Sequence, residues 1–158
     1  LQHCGEDMKF FNEHIQPGVV DQLAKVVETP FAHMTYTDAV AVLEKCGEKF
    51  EYPVKWGIDL QAEHERFLTE KHVGGPLILT DYPSSIKPFY MKLSADGRTV
   101  GAMDVLVPGV GEIIGGSQRE DNLETLLRRM DESGLRHEDY WWYVDLRKYG
   151  SVPHAGFG

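Results

Sequence analysis

The sequence predicts an α+β fold in which one antiparallel sheet is flanked by helices. Three observations predict it. Up to about residue 75 the apolar residues recur at helical spacing, and from Pro76 onward they alternate with period two. The alternating runs are joined by turns of a few residues, which suits antiparallel neighbours. Two further helical patterns close the chain. The 158 residues suffice for one domain with its own core. A mostly helical part covers 1–75, and the strands with two helices cover 76–158.

The elements follow in order. Gln16-Pro17-Gly18 separates two short helices. Thr37 is expected to cap a helix from Asp38 to Cys46, with Ala39, Val40 and Leu43 on one stripe and Gly47 as its stop. Asp59 opens another, with Leu60, His64, Phe67 and Leu68 on one side and acids on the other, ended by Gly74-Gly75-Pro76. Leu77 to Asp81 reads as a short apolar strand. Pro88 to Leu93 and Thr99 to Leu106 read as strands around an Asp96-Gly97 hairpin turn. Glu112 to Ile114 continues the sheet beyond a Pro108-Gly109 turn. Asp121 to Ser133 is a helix with Leu123, Leu126, Leu127 and Met130 inward. His137 to Tyr149 is a second, whose run Tyr140-Trp141-Trp142-Tyr143 is read as core packing rather than as a stacking surface.

Composition removes several classes of function. A net charge of −9 argues against a broad nucleic-acid surface, although a local basic groove would escape that argument. No apolar run is long enough to span a membrane. The amino terminus lacks the basic and apolar regions of a signal peptide and an initiator Met. Both ends read as cut from a longer chain. Two cysteines, Cys4 and Cys46, make no disulfide framework and are read as reduced thiols of a cytosol-like compartment. The histidines lack metal-ligand spacing, and neither a nucleophile elbow nor a dinucleotide fingerprint is present.

The chemistry concentrates between Met103 and Glu120. Asp104 shares its period-two face with Val100, Ala102 and Leu106. A carboxylate there needs a cation or several donors, or else backbone hydrogen bonds at the hairpin end. Glu112 folds back toward it if the chain reverses at Pro108-Gly109, and the pair then suits Mg²⁺ with phosphates; the other reading leaves Glu112 in solvent on an edge strand. Gly115-Gly116 is either open backbone for a ligand or a bulge. Arg119 is either a clamp for a carboxylate, carboxamide or phosphate, or a partner of Glu120 or Asp121.

Together these residues resemble the class II aminoacyl-tRNA synthetases of the aspartate, asparagine and lysine subgroup. The resemblance rests on Ala62 to Glu70, Ile86 to Met91, Met103 to Pro108, Gly111 to Glu120, Trp142 to Gly150 and Val152 to Gly158, and covers most of the chain from Thr35 onward. Lys87-Pro88-Phe89-Tyr90-Met91 replaces the Arg-Pro-Phe-Tyr usual in the aspartate enzymes, which favours the asparagine-specific members.

The resemblance implies the family's antiparallel catalytic sheet and an ATP-dependent ligase that makes an aminoacyl adenylate and then esterifies tRNA. It implies Glu112 and Asp104 as ligands for Mg²⁺ and ATP, and Arg119 as the group holding the amino acid's side-chain oxygen. Gly156 and Gly158 stand as the opening glycines of motif 3, with His154 near the pocket floor. Gly115 stands where the aspartate enzymes carry a metal-contacting Ser, which puts that contact in doubt. No protein nucleophile is implied. The implied partners are asparagine and its tRNA, with a homodimeric, cytoplasmic parent protein and no membrane; an organellar form stays open. Motifs 1 and 2, the ATP-binding Arg of motif 3 and the anticodon barrel fall outside these residues, so the chain is expected to be inactive alone. Two rival readings stay open at this point: a non-catalytic relative kept as a binding or structural subunit, and an asparagine synthetase of the aspartate–ammonia type.

Overall fold

Tyr36, Val40, Leu43 and Leu68, all fully or almost fully buried, pack from the helical part onto Leu77, Leu79, Val100, Ala102 and Leu106 of the sheet. A computed structural model describes residue 1 and residues 3–158; Gln2, in the amino terminus read as lacking signal-peptide features, lies outside them. Each large apolar side chain buried in this core stabilises the fold by about 1.5–3 kcal/mol. The strand members of the core are alternate residues, so helices cover one face of the sheet on this side.

Helices α1 (Gly5–His14) and α2 (Val19–Glu28) are separated at Pro17-Gly18 as expected. Strand β1 (Ala32–Thr35) was not expected, because four residues are too few to display alternation. It lies parallel to β2 (Leu77–Pro83), so the sheet is not wholly antiparallel. Thr35 then caps α3 (Tyr36–Lys45): its Oγ1 accepts from the Asp38 N–H at 3.1 Å and donates to the Asp38 carboxylate at 2.7 Å. The cap is therefore Thr35 and not Thr37, whose hydroxyl instead accepts from Trp56 Nε1.

Helix α4 (Ala62–Arg66) begins three residues later than expected from Asp59. Gln61 and His64 form a reciprocal cap there, and His64 is fully buried with its Nδ1 accepting from the Gln61 N–H at 3.0 Å. The helix widens into a π-helical turn over Phe67–His72.

The five-stranded order is β1-β2-β3-β4-β5, with β3 (Thr99–Val107), β4 (Gly111–Gln118) and β5 (Ala155–Phe157) antiparallel in turn. Pro88–Leu93 is not a regular strand. It makes only the single bridges Met91↔Arg119 and Leu93↔Val100, wedged between the ends of β3 and β4. Pro88 lacks a ladder donor, and Lys92 bonds both neighbours, donating to Gln118 O and accepting from Gly101 N, each at 2.9 Å.

Helix α5 (Leu123–Glu132) is capped by Asn122, which accepts from the Thr125 N–H. The last helical stretch divides into a 3₁₀ turn (His137–Tyr140) and α6 (Trp141–Lys148). The core-packing expectation fails for Trp141 and Trp142, which are 64% and 54% exposed. The inward face of α6 is given to Arg147 instead. Among the described residues no helix is long and apolar enough to cross a membrane, and both cysteines are free thiols.

Candidate active site

Strand register brings the acids together. Asp104 of β3 sits opposite Gly115 of β4, and Leu106 opposite Glu112, because a bulge between Val105 and Leu106 takes up Ile113 as an extra residue. Glu112 lies in the exposed stretch of β4 and reaches over Gly115. A Cβ on Gly115 would meet Glu112 Oε1 at 2.5 Å and Asp104 Oδ1 at 3.5 Å. The two carboxylates thus converge on one point that only a glycine leaves free. Gly115 and Gly116 are both regular ladder residues, so the bulge lies elsewhere than that pair.

The sequence reading of Asp104 asked for a cation, and the protein supplies one. Lys87 Nζ lies 3.1 Å from Asp104 Oδ2, and packs 4.0 Å above the Tyr82 ring. Asp104 is buried, so this contact offsets much of its desolvation. Burial first, and Asp104 second, push the Tyr82 phenol far above its ordinary range, so it stays a donor. A third acid faces the pair from α4. Burial and the carboxylates of Glu112 and Asp104 raise the Glu65 carboxyl, and Lys87 partly offsets them. Neither Glu65 nor Lys87 was assigned a role from sequence. A helical acid and a lysine in a loop reach this point only through tertiary packing.

Arg119 follows β4 on the same alternation as Gly115 and Ser117. Its Nη1 donates to Ser117 Oγ at 2.5 Å, and its guanidinium stacks 4.8 Å over Tyr90. Among the described residues it forms no ion pair: Glu120, one of the two partners considered, takes Lys92 Nζ at 3.1 Å, and Asp121 takes the same lysine. A Cβ on Gly156 would lie 2.6 Å from Arg119 Nη2, so that glycine clears the space the guanidinium occupies. Gly158 exchanges both backbone hydrogen bonds with Gly115, each 2.9 Å, which ties β5 alongside the acid pair. His154 is placed differently from a pocket floor. Its carbonyl accepts from the Arg119 N–H at 2.9 Å, and its exposed imidazole faces Arg147 and the Val152 carbonyl.

One pocket of about 410 Å³ adjoins this arginine, walled by Phe89, Tyr90, Tyr140, Trp142 and Tyr143. Another of about 120 Å³ lies on the acid side and includes Glu65, Gly111 and Glu112. The arrangement offers hard oxygen donors at one end and, at the other, a guanidinium that pairs with no acid among the described residues. No group of three or more His, Cys, Asp and Glu among the described residues forms a metal centre by itself. A divalent cation here would have to draw further ligands from water or a bound phosphate, which is how Mg²⁺ is usually held.

Comparison with known proteins gives a consistent picture. Residues 4–158 match the family described as tRNA synthetases class II (D, K and N). An asparagine–tRNA ligase of Rhodopirellula baltica is 73% identical over all 158 residues, which are 32% of that protein. One of Treponema denticola is 61% identical over the same span, 33% of its length. The chain thus spans about a third of the length of the curated relatives it matches. The crystal structure of asparaginyl-tRNA synthetase from Pyrococcus horikoshii complexed with asparaginyl-adenylate superimposes with a TM-score of 0.84 at 42% identity, covering 99% of this chain and 34% of that one.

Proposed function

Because the chain belongs to the class II tRNA synthetases of the aspartate, lysine and asparagine group, we propose that it is the part of an asparagine–tRNA ligase that grips asparagine and the phosphates of ATP. The observation that carries this reading is the spacing of two unlike ends along β4. Glu112 and Asp104 converge over Gly115, and Arg119, four residues beyond that glycine, pairs with no acid among the described residues. Relatives at 73% and 61% identity bearing the asparagine–tRNA ligase name support the choice of amino acid.

In this reading the side-chain carbonyl oxygen of asparagine accepts from the Arg119 guanidinium, oriented by Ser117 and Tyr90. Glu112 and Asp104 would hold Mg²⁺ in the cradle over Gly115, and the donor set fits, being hard oxygen with room for water. The bound ion would supply charge neutralisation on the phosphates of ATP. The asparagine carboxylate attacks the α-phosphorus and pyrophosphate leaves; a hydroxyl at the 3′ end of tRNA then takes the aminoacyl group and AMP leaves. No side chain of this chain acts as nucleophile; its residues position and neutralise. The parent protein is read as a cytoplasmic homodimer. The 158-residue chain alone is read as inactive.

ATP–pyrophosphate exchange tests the reading. The full-length protein carrying this segment should exchange with asparagine and at least tenfold less with aspartate. Exchange that ignores asparagine overturns the assignment. Asparagine-dependent exchange by the isolated chain would contradict its reading as an incomplete site.

A further inference from the structure

We propose that Arg147 is the positioning residue for Arg119, a clip that fixes the amino-acid end of the site without touching substrate. Arg147 is 6% exposed on α6, a helix whose other face carries exposed tryptophans. Two of its contacts fall on the segments beside Arg119, and a third, within α6, holds its guanidinium in place. Its Nε donates to the carbonyl of Glu120, the residue following Arg119, at 2.9 Å. Its Nη2 donates to the Tyr143 hydroxyl at 2.8 Å, with the guanidinium 4.1 Å over the Tyr143 ring. The same Nη2 lies 3.3 Å from His154 Nε2.

Guanidinium cannot accept a hydrogen bond, so His154 Nε2 must be the acceptor. That leaves the proton on Nδ1, where it donates to the Val152 carbonyl at 2.8 Å. The Val152 carbonyl and Arg147 thus fix the tautomer together. His154 in turn presents its own carbonyl to the Arg119 N–H at 2.9 Å. Arg147 therefore holds the carbonyl just after Arg119 and the residue that binds the Arg119 amide. The planar fork of arginine does this from one side chain; the point charge of lysine cannot.

The neighbouring Glu120 completes the frame. It is almost fully buried and accepts from Lys92 Nζ, Leu93 N and Asn122 N at 3.1 Å each. The Arg119 N–H, the Glu120 N–H and the Glu120 carboxylate are thus all bonded, while among the described residues the Arg119 guanidinium pairs with no acid and keeps donors for a ligand. Any loosening at Arg147 is transmitted to the direction of that guanidinium.

The inference rests on Arg119 binding the amino acid, and the test separates the two. In the full-length protein, Arg147→Lys is expected to raise KM for asparagine about tenfold, with kcat changed less than threefold and KM for ATP unchanged. Tyr143→Phe, which removes one hydroxyl and keeps the ring, should raise the same KM two- to threefold at unaltered melting temperature. Combining Arg147→Lys with Arg119→Lys should give less than the product of the single effects, because both act through one guanidinium. Equal loss of activity at unchanged KM for asparagine, tracking the folded fraction by circular dichroism, would make Arg147 merely structural and overturn the proposal. If Arg119→Lys alone leaves KM for asparagine unchanged, the reading of Arg119 fails first.

Discussion

The acid end and the arginine end of the site are built on opposite principles. Around Arg119 the backbone is locked. Glu120 is buried with its acceptors filled, Arg147 and His154 clip the flanks, and β5 pairs alongside. Around Glu112 the strand is bulged and exposed, and the carboxylate crosses to Asp104 above a bare glycine. The contrast teaches where preorganisation is useful. If Arg119 holds a substrate side chain, which is recognised by direction, its donor must be fixed before binding. If the acids hold a hydrated cation with phosphates, that ion brings its own geometry and the two carboxylates need only leave room.

The largest expected effect lies at the locked end. Arg119→Ala removes a charge-assisted donor, which costs about 2–4 kcal/mol. The expected outcome is a fall in kcat/KM for asparagine on the order of 100-fold, read by pyrophosphate exchange, at unchanged melting temperature. An unchanged kcat/KM removes Arg119 from the pocket and the contrast with it.

Next comes Lys87, which stands inside the acid end. Lys87→Met leaves Asp104 buried beside Tyr82 with no cation, and breaking such a pair costs about 3 kcal/mol. The melting temperature should fall by roughly 5–10 °C. Millimolar Mg²⁺ should return part of that loss if the acid end accepts a cation. A fall that Mg²⁺ does not touch would make Asp104 a purely structural carboxylate.

The smallest effect concerns the Lys92–Asp121 contact beside Glu120. A hydrogen bond from Lys92 holds the Asp121 carboxyl below its ordinary value of 3.8. A depressed carboxyl contributes stability at pH above its unfolded value and loses it as pH falls through the folded one. Wild type should therefore melt slightly above Asp121→Asn at pH 6, by about 1 kcal/mol or less for so accessible a pair. The gap should close below about pH 3.8. A gap that persists under acid would place the effect elsewhere.

The legibility of the molecule divides along similar lines. Asp104, Glu112, Gly115 and Arg119 could be picked out because an acid or arginine inside an apolar alternation is conspicuous in one dimension. The β3–β4 hairpin was legible for the same reason. Glu65 and Lys87 were not, since each lies in an ordinary local pattern and meets the acids only through packing of α4 and the 84–88 loop. Strand β1 was too short to alternate. Trp141 and Trp142 misled because aromatic composition says nothing about which side of a helix faces inward, and the buried residue of α6 proved to be an arginine. The Pro88–Leu93 segment has strand composition but is held by single bridges between two strand ends.

If one strand serves two ligands from two independent ends, a pair of glycine substitutions separates them. Gly115→Ala places a methyl 2.5 Å from Glu112 Oε1, and Gly156→Ala places one 2.6 Å from Arg119 Nη2. In the full-length protein the measurement is the Mg²⁺ concentration for half-maximal exchange alongside KM for asparagine. Gly115→Ala is expected to raise the Mg²⁺ requirement about tenfold and leave KM for asparagine within twofold, and Gly156→Ala to do the reverse. Both variants moving both parameters together would show a single coupled site and overturn the two-ended reading.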